Sequence, residues 1–396
     1  MQNSNKDRYL QRGVSATKNE VHKAVSNFDK GLFPTAFCKV TEDHFSGNPD
    51  KCSLIHSDGS GTKSILAYLH YKETGDASVF RGISQDSIVM NIDDLLCVGI
   101  TDNILLSSTI NRNSVLCDGP VIQNLIAGNE AFIEKMREYG VSIVNGGGET
   151  ADMGDVVRTV SVDTCAVASA NRADIIHGKI VPGLDIVGLA SFGKANYESE
   201  ENSGIGSNGL TSARHDLLSP YYREKYPEAF APQTNKELVY CGPYKLEDSM
   251  PGSSMSVGQS LLSPTRSYAP VINTLLQENR SAVKGLIHCT GGGQGKCIRF
   301  GTETHFIKDS LFTPPPIFQA IQNASNSDLK EMYQVFNMGH RMEVYCDPSD
   351  TNFIIKKSEA FGIEAKVIGR TEKSKKPDSA NHVSIQTQGS SFEYEL

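Results

Sequence analysis

The residues with the clearest potential for chemistry lie in a short loop at positions 57–63, which reads Ser-Asp-Gly-Ser-Gly-Thr-Lys. Two glycines, Gly59 and Gly61, allow backbone N–H groups to approach an anion closely, and Thr62 and Lys63 stand where a triphosphate could be held. The carboxylate of Asp58 indicates a divalent cation accompanying the phosphates. The spacing does not fit a Walker A loop. Taken alone, this stretch is therefore explained as well by a plain strand-to-helix turn as by a phosphate-binding loop.

A second group of carboxylates falls on a predicted helix at residues 84–98. Apolar residues recur there at helical intervals, and Asp86, Asp93 and Asp94 lie on the other side. Acidic residues on an exposed helix face are more often solvated than functional. Asp93 and Asp94, however, come near the helix end, where the dipole disfavours negative charge. A bound cation would remove that penalty.

A third group follows a short apolar strand at residues 141–144. Three glycines, residues 146–148, precede Glu149 and Asp152 in what we predict to be a loop. Consecutive glycines cost backbone entropy and are tolerated where the backbone passes close to another group. A flexible surface turn is the alternative. Taken together, the three groups predict a site for Mg²⁺ and a nucleotide.

The composition bounds the class of protein. At 396 residues the chain is long enough for two domains, and its net charge of −8 argues against nucleic-acid binding. Nine widely spaced cysteines with no C-x-x-C argue against a disulfide framework or a zinc site. The polar N-terminus and the absence of an apolar run near the roughly 20 residues of a membrane span lead us to expect a cytoplasmic protein without membrane contact.

The order of predicted elements is that of an α/β chain with two halves. The pattern of strand, acid-bearing loop and helix ends near residue 170, and a new strand begins at residue 185. In the second half, His288 lies on an apolar strand that ends in another run of three glycines, residues 291–293. A histidine in such a place is more often a satisfied core residue than a catalyst. Residues 219–256 lack a clear period and indicate a long insertion or cover.

These motifs occur in the order found in the phosphoribosylformylglycinamidine cyclo-ligase, or AIR synthetase, family, which the chain resembles over residues 9–369. The motifs that carry the resemblance are Tyr9 with Gly13-Val14, Lys30-Gly31, Asp58 to Lys63, Asp86 to Leu95, Gly147 to Met153, Ser207-Asn208-Gly209, Pro264-Thr265-Arg266, His288 to Gly293 and Met332 to Gly339.

The resemblance implies a mixed α/β fold in two domains. Residues 1–50 form a lead-in, 51–172 the N-terminal domain with the ATP and Mg²⁺ site, and 181–396 the C-terminal domain. The N-terminal domains are expected to pair as a barrel in a homodimer, with each site taking residues from both chains. The implied reaction is ATP-dependent ring closure of formylglycinamidine ribonucleotide to aminoimidazole ribonucleotide (AIR), in de novo purine biosynthesis.

The resemblance also implies roles for individual residues. Lys30, Asp94 and His288 are the catalytic candidates. Mg²⁺ is expected at Asp58, Asp94 and Glu149. The ATP-binding candidates are Asp58, Gly59, Gly61, Thr62, Lys63, Gly147, Gly148, Glu149 and Thr150. The substrate-binding candidates are Ser207, Asn208, Arg266, Thr290, Gly291, Gly292 and Gly293.

The chain departs from the family pattern at several positions. Gly206 stands where a histidine is usual, Asp93 replaces an asparagine, and His340-Arg341 replaces small residues. Two alternatives therefore stay open: a catalytically silent nucleotide-binding paralogue, and a related enzyme such as formylglycinamidine ribonucleotide synthetase. Selenophosphate synthetase and the hydrogenase-maturation relative are disfavoured, because the cysteines that they need are missing from the expected places.

Overall fold

The computed structural model describes residues 11–14, 23–178, 180–376 and 378–395. Most of its strands form two mixed sheets, one in each half of the chain, and helices pack against them. Tyr9, which the sequence placed in an N-terminal motif, lies outside the described residues.

The first sheet has five strands in the order β1-β2-β5-β3-β4. They cover Thr41–Glu42 (β1), Lys51–Gly59 (β2), Ile104–Arg112 (β3), Ile143–Asp152 (β4) and Val160–Asn171 (β5). Only β3 and β4 run parallel; the other neighbours are antiparallel. Three helices whose residues are all described pack with this sheet, namely Lys63–Thr74 (α1), Phe80–Leu96 (α2) and Gly119–Glu138 (α3). Helix α2 packs on β2 and β5 and is in turn contacted by α3.

The burial of α2 corrects one expectation. Asp86 and Asp93 were placed on an acidic face of this helix, yet both side chains are fully buried. The reason is that the second half of the chain packs over the helix and supplies polar partners. Residues 263–268 provide several of these partners.

The first glycine run also differs from its prediction as a loop. It continues strand β4, with a register shift opposite Leu106 and Ser108. A Cβ atom at Gly148 would lie 2.0 Å from the carbonyl oxygen of Ser108. Glycine is therefore required there because β3 approaches closely, whether or not a ligand binds.

The second sheet has seven strands in the order β14-β13-β10-β12-β6-β11-β9. They cover Asp185–Ala190 (β6), Gly285–His288 (β9), Thr304–Lys308 (β10), His340–Cys346 (β11), Ala365–Lys373 (β12), His382–Thr387 (β13) and Ser390–Glu395 (β14), while Phe192–Gly193 (β7) and Asn202–Ser203 (β8) pair separately. Seven helices accompany these strands: Leu210–Leu217 (α4), Pro220–Lys225 (α5), Val257–Leu262 (α6), Ala269–Asn279 (α7), Pro316–Ser325 (α8), Leu329–Val335 (α9) and Thr351–Ala360 (α10).

The inserted segment 219–256 packs against the body of the protein. Tyr222 and Tyr240 are fully buried in it. Its neighbourhood also receives the N-terminal residue Arg12, whose guanidinium donates to the carbonyl of Leu238 at 3.0 Å and forms a buried ion pair with Asp216 at 2.8 Å. Arg12 is thus bound both by this segment, through Leu238, and by helix α4, through Asp216.

The nine cysteines are all free thiols, and seven of them are buried; Cys165 and Cys241 are partly exposed. In the described part of the chain, no helix combines the length and apolarity needed to cross a membrane.

Candidate active site

A cleft of about 450 Å³ lies where the two halves of the chain meet. Its volume is in the range of small-molecule sites. Ten of the residues predicted from the sequence line it: Asp58, Gly59, Gly61, Thr62, Asp94, Ser207, Asn208, Thr290, Gly291 and Gly292. The end of β2, the helix α2, the turn before α4 and the turn after β9 therefore converge on one cavity.

Lys63 does not line this cleft. Its side chain is fully buried, and its ammonium lies 2.9 Å from Asp86 Oδ1. The backbone of Thr265 donates to the same carboxylate oxygen at 2.8 Å. The expected phosphate ligand is thus paired inside the protein.

Arg266 is likewise occupied by protein groups. Its guanidinium forms an ion pair with Glu198 and donates to the carbonyls of Phe192 at 2.7 Å and Gly193 at 2.8 Å. The side chain is fully buried. These bonds join the strand β7 to the start of α7. The guanidinium therefore binds protein groups in this structure, where the sequence predicted a contact with the ribose phosphate of the substrate.

Glu149 lies away from the cleft in this chain. It is in the same row of the sheet as Gly59, separated from it by Asp163 on β5 and Thr109 on β3. Three strand spacings amount to about 14 Å. Gly147, Gly148 and Thr150 share this strand and are exposed with Glu149. Lys30 is exposed on the lead-in segment, outside the cleft lining, and Gly293 is buried beside the backbone of Tyr333.

Asp94 is the carboxylate most strongly shaped by its surroundings. Its Oδ1 lies 2.6 Å from His288 Nδ1, and its Oδ2 lies 3.2 Å from His56 Nε2. Although burial opposes it, nearby Lys296 and the hydrogen bonds from both histidines hold the pKa of Asp94 well below its usual range. Asp94 is therefore ionised and oriented at neutral pH.

His288 lies 2.6 Å from Asp94, and its ring is fully buried. Arg341 Nε lies 3.1 Å from His288 Nε2, and a guanidinium can only donate hydrogen bonds. Nε2 must then be the unprotonated nitrogen, so Nδ1 carries the hydrogen that is shared with Asp94. Burial lowers the pKa of His288 to about 4 despite the neighbouring Asp94, which agrees with a neutral ring.

The cleft fits a hard divalent cation in part. Asp58 and Asp94 both reach it, and Mg²⁺ is commonly held by one or two carboxylates together with substrate phosphates. Each oxygen of Asp94 has a further lone pair beyond the one that faces a histidine. Within one chain, Glu149 does not complete this set.

Two basic residues of the cleft escaped the sequence reasoning. Lys296 and Arg299 lie on the 3₁₀ turn Gly293–Arg299 and line the cavity. Lys296 donates to Thr290 Oγ1 at 2.6 Å and lies over the ring of Phe37, 4.4 Å from its centroid. The sequence did offer a signal for them, because they follow the glycine run 291–293 by three and six residues.

Comparison with known proteins agrees with this arrangement. Residues 40–170 match the N-terminal domain, and residues 181–380 the C-terminal domain, of AIR synthase related proteins. The phosphoribosylformylglycinamidine cyclo-ligase of Methanocaldococcus jannaschii is 30% identical over 319 residues, which are 80% of this chain and 77% of that one. The enzyme of the same name from Methanothermobacter thermautotrophicus is 31% identical over 352 residues, 87% and 89% of the two chains.

A solved structure described as AaThiL complexed with AMPPCP and TMP has a TM-score of 0.52 at 10% identity and covers 94% of this chain and 92% of its own. At this sequence identity, the structural similarity is evidence only of a shared fold. The family resemblance seen in the sequence is confirmed, as is the mixed α/β fold in two domains. The chain belongs to the AIR synthase related proteins, as an enzyme whose curated relatives carry the name phosphoribosylformylglycinamidine cyclo-ligase.

Proposed function

We propose that the chain closes the imidazole ring of formylglycinamidine ribonucleotide at the expense of ATP, giving AIR, ADP and phosphate in de novo purine biosynthesis, as a cytoplasmic enzyme. The observation that carries the proposal is the cleft, in which Asp58, Thr62 and Asp94 of the first half face Asn208 and Thr290 of the second. The names of the relatives support the same reaction.

In the proposed reaction, the formyl amide oxygen of the substrate takes the γ-phosphoryl group of ATP, and ADP leaves. The amidine nitrogen then attacks the activated carbon, its proton is released, and the C–O bond breaks with loss of phosphate. Such chemistry asks the protein chiefly to position two substrates and to neutralise their negative charge.

We assign the positioning of the substrates and the neutralisation of their charge to different residues of the cleft. Asp58 and Asp94 are the proposed ligands of Mg²⁺, which when bound supplies positive charge to the phosphates. Lys296 and Arg299 supply the protein's own positive charge in the cleft, the role that the sequence suggested for Lys63. His288 acts by holding Asp94.

We also propose that the first sheet pairs with a second copy of the chain. On the face of this sheet opposite α2, Ile55, Leu105 and Val144 are 69%, 46% and 49% exposed. They form one apolar row with Val167 across β2, β5, β3 and β4. Pairing of two such faces supports the expected barrel, and it would bring Glu149 of one chain towards its partner. The proposed domain division, residues 51–172 and 181–396, separates the two sheets, except that strand β1 of the first sheet lies in the lead-in segment.

The test is turnover by the purified chain. Formylglycinamidine ribonucleotide and Mg-ATP are supplied, AIR is followed by its diazo colour, and ADP is followed in parallel. We expect equal amounts of the two products, loss of both in Asp94→Ala, and wild-type behaviour in the control Asp102→Ala, which removes an exposed carboxylate.

Two outcomes would overturn the proposal. Bound ATP without either product would favour the catalytically silent paralogue. ADP formed with formylglycinamide ribonucleotide and ammonia, instead of with the amidine, would favour the synthetase.

A further inference from the structure

Three positions that depart from the family pattern meet behind the cleft. Asp93 lies on α2, Arg341 on β11, and Gly206 in the turn before α4. Arg341 and Asp93 are 2% and 0% exposed, and Arg341 Nη2 lies 3.5 Å from Asp93 Oδ2. A buried guanidinium needs a counter-charge, and Asp93 is the acidic group paired with it. Burial raises the pKa of Asp93 to about 7, although the Arg341 guanidinium and the hydrogen bond from Ser267 oppose that rise.

Gly206 leaves the room that this guanidinium occupies. Its φ is +69°, a conformation that favours glycine. A Cβ atom built there would lie 3.4 Å from Arg341 Nη1. A Cβ atom at that distance would only touch the guanidinium, whereas a side chain longer than that of alanine would compete with it for space, and the positive φ would strain any residue other than glycine. The three departures are therefore neighbours in one structural unit.

The same guanidinium reaches the candidate cation site through one intermediate. Arg341 Nε donates to His288 Nε2 at 3.1 Å, and His288 Nδ1 donates to Asp94 Oδ1 at 2.6 Å. Arg341 also donates to the carbonyl of Arg266, and its guanidinium carbon lies 5.4 Å from the centre of the Tyr268 ring. The arginine is therefore held on several sides, and it holds the histidine ring in one orientation.

We infer that Arg341 is a positioning residue that fixes the direction of the Asp94 carboxylate through His288, and that Asp93 and Gly206 are the counter-charge and the space that this arginine requires. The inference rests on the proposed role of Asp94 as a cation ligand. It does not depend on which substrate is turned over.

The competing explanation is that Arg341 only neutralises Asp93. The two explanations differ in the double variant Asp93→Asn/Arg341→Met, which removes both charges together. If Arg341 is only a counter-ion, this variant regains both stability and cation binding. If Arg341 positions His288, it regains stability while cation binding stays weak.

The experiment measures Mn²⁺ binding to the full chain by electron paramagnetic resonance, without nucleotide or substrate. The variants are Arg341→Met, Asp93→Asn and the double variant, with Arg280→Met as a control for loss of a partly buried arginine elsewhere. Loss of a residue that orients a metal ligand through a hydrogen bond weakens metal binding by roughly 10- to 100-fold. We expect an effect of that order in Arg341→Met and in the double variant.

A second readout follows His288 directly by ¹⁵N NMR of labelled imidazole. In the wild type we expect a hydrogen on Nδ1 and a hydrogen-bonded, unprotonated Nε2. Removal of Arg341 should shift the Nε2 resonance, whereas Asp93→Asn should leave it nearly unchanged. If Arg341→Met fails to fold, Arg341→Lys keeps a positive charge beside Asp93 but removes the Nε donor, and it should shift the same resonance.

Recovery of wild-type Mn²⁺ affinity in the double variant overturns the inference, and so does a wild-type chain that binds no Mn²⁺. The inference is also overturned if the Nε2 resonance of His288 does not shift in Arg341→Met. A chain that makes no AIR yet shows the expected Mn²⁺ and NMR changes contradicts the proposed function and leaves this inference standing.

Discussion

The ammonium of Lys63 lies 2.9 Å from the Asp86 carboxylate, and both side chains are fully buried. This pair joins the first turn of α1 to α2, and the backbone of Thr265 binds the same carboxylate from the second half of the chain. A lysine that looks like a phosphate ligand in the sequence therefore ties together the elements that surround the cleft.

The first prediction concerns this pair. Lys63→Met should destabilise the fold by about 3–5 kcal/mol, because it leaves the Asp86 charge buried and uncompensated. Urea denaturation measures the loss, and Lys72→Met, on an exposed lysine of the same helix, should change it little. Addition of Asp86→Asn to Lys63→Met should restore part of the stability. A Lys63→Met protein of normal stability that no longer uses ATP would instead support the phosphate contact.

The second prediction concerns Lys296. Lys296→Met should raise KM for a phosphorylated substrate about 10-fold or more, because a charge-assisted hydrogen bond contributes roughly 1.5–3 kcal/mol. Steady-state kinetics with each substrate varied in turn shows which phosphate is involved. The control is Lys284→Met, whose ammonium pairs with Asp347 at 2.9 Å outside the cleft lining. Unchanged KM values for both substrates would exclude a phosphate contact.

The third prediction concerns acid stability. Burial, with the neighbouring cations Arg214 and Arg12, lowers the pKa of His215 far below its ordinary value of 6.5, and its Nδ1 accepts from the backbone of Tyr240. The unfolded chain then binds a proton that the folded chain does not. Stability is lost as pH falls below 6.5, by about 1.4 kcal/mol per pH unit for this group.

Thermal unfolding between pH 7 and pH 5 measures this slope. His215→Asn keeps an acceptor near Nδ1 and should make the slope shallower, whereas His44→Asn, on an exposed histidine, should not. Equal slopes in the wild type and His215→Asn would show that His215 takes up its proton without unfolding.

The fourth prediction concerns the apolar row of the first sheet. Leu105→Asp should convert a dimer into monomers, since an unpaired charge at a buried interface costs several kcal/mol. Sedimentation velocity measures the change. Val115→Asp places the same charge on a residue that is 87% exposed outside that row, and it should not alter the sedimentation coefficient. A wild-type chain that sediments as a monomer would contradict the proposed pairing.

The sequence predicted the elements of the site better than the directions of their side chains. Apolar periodicity placed a strand, a glycine turn and a helix around Asp58, and the structure has β2, Gly61 with φ +57° and α1 there. Such patterns are local, and they depend on neighbours a few residues away.

The direction of a long side chain depends instead on distant partners. Lys63 meets Asp86 only because α2 packs beside α1, and Arg266 meets Glu198 only because the β7 segment passes next to it. The glycine run at residues 146–148 was likewise predicted as a loop, because the sequence does not show that the backbone of β3 lies close to it. None of these pairings leaves a pattern in the local sequence.

Cys165 lies in the middle of the open face of the first sheet, between Ser57 of β2 and Ser107 of β3. Seven of the other eight thiols are buried, so a mild alkylating reagent has few places to react. The rate at which Cys165 is alkylated then reports whether that face is covered, and Cys241 serves as an internal reference away from it. The chain thus carries its own chemical probe of assembly, without any introduced label.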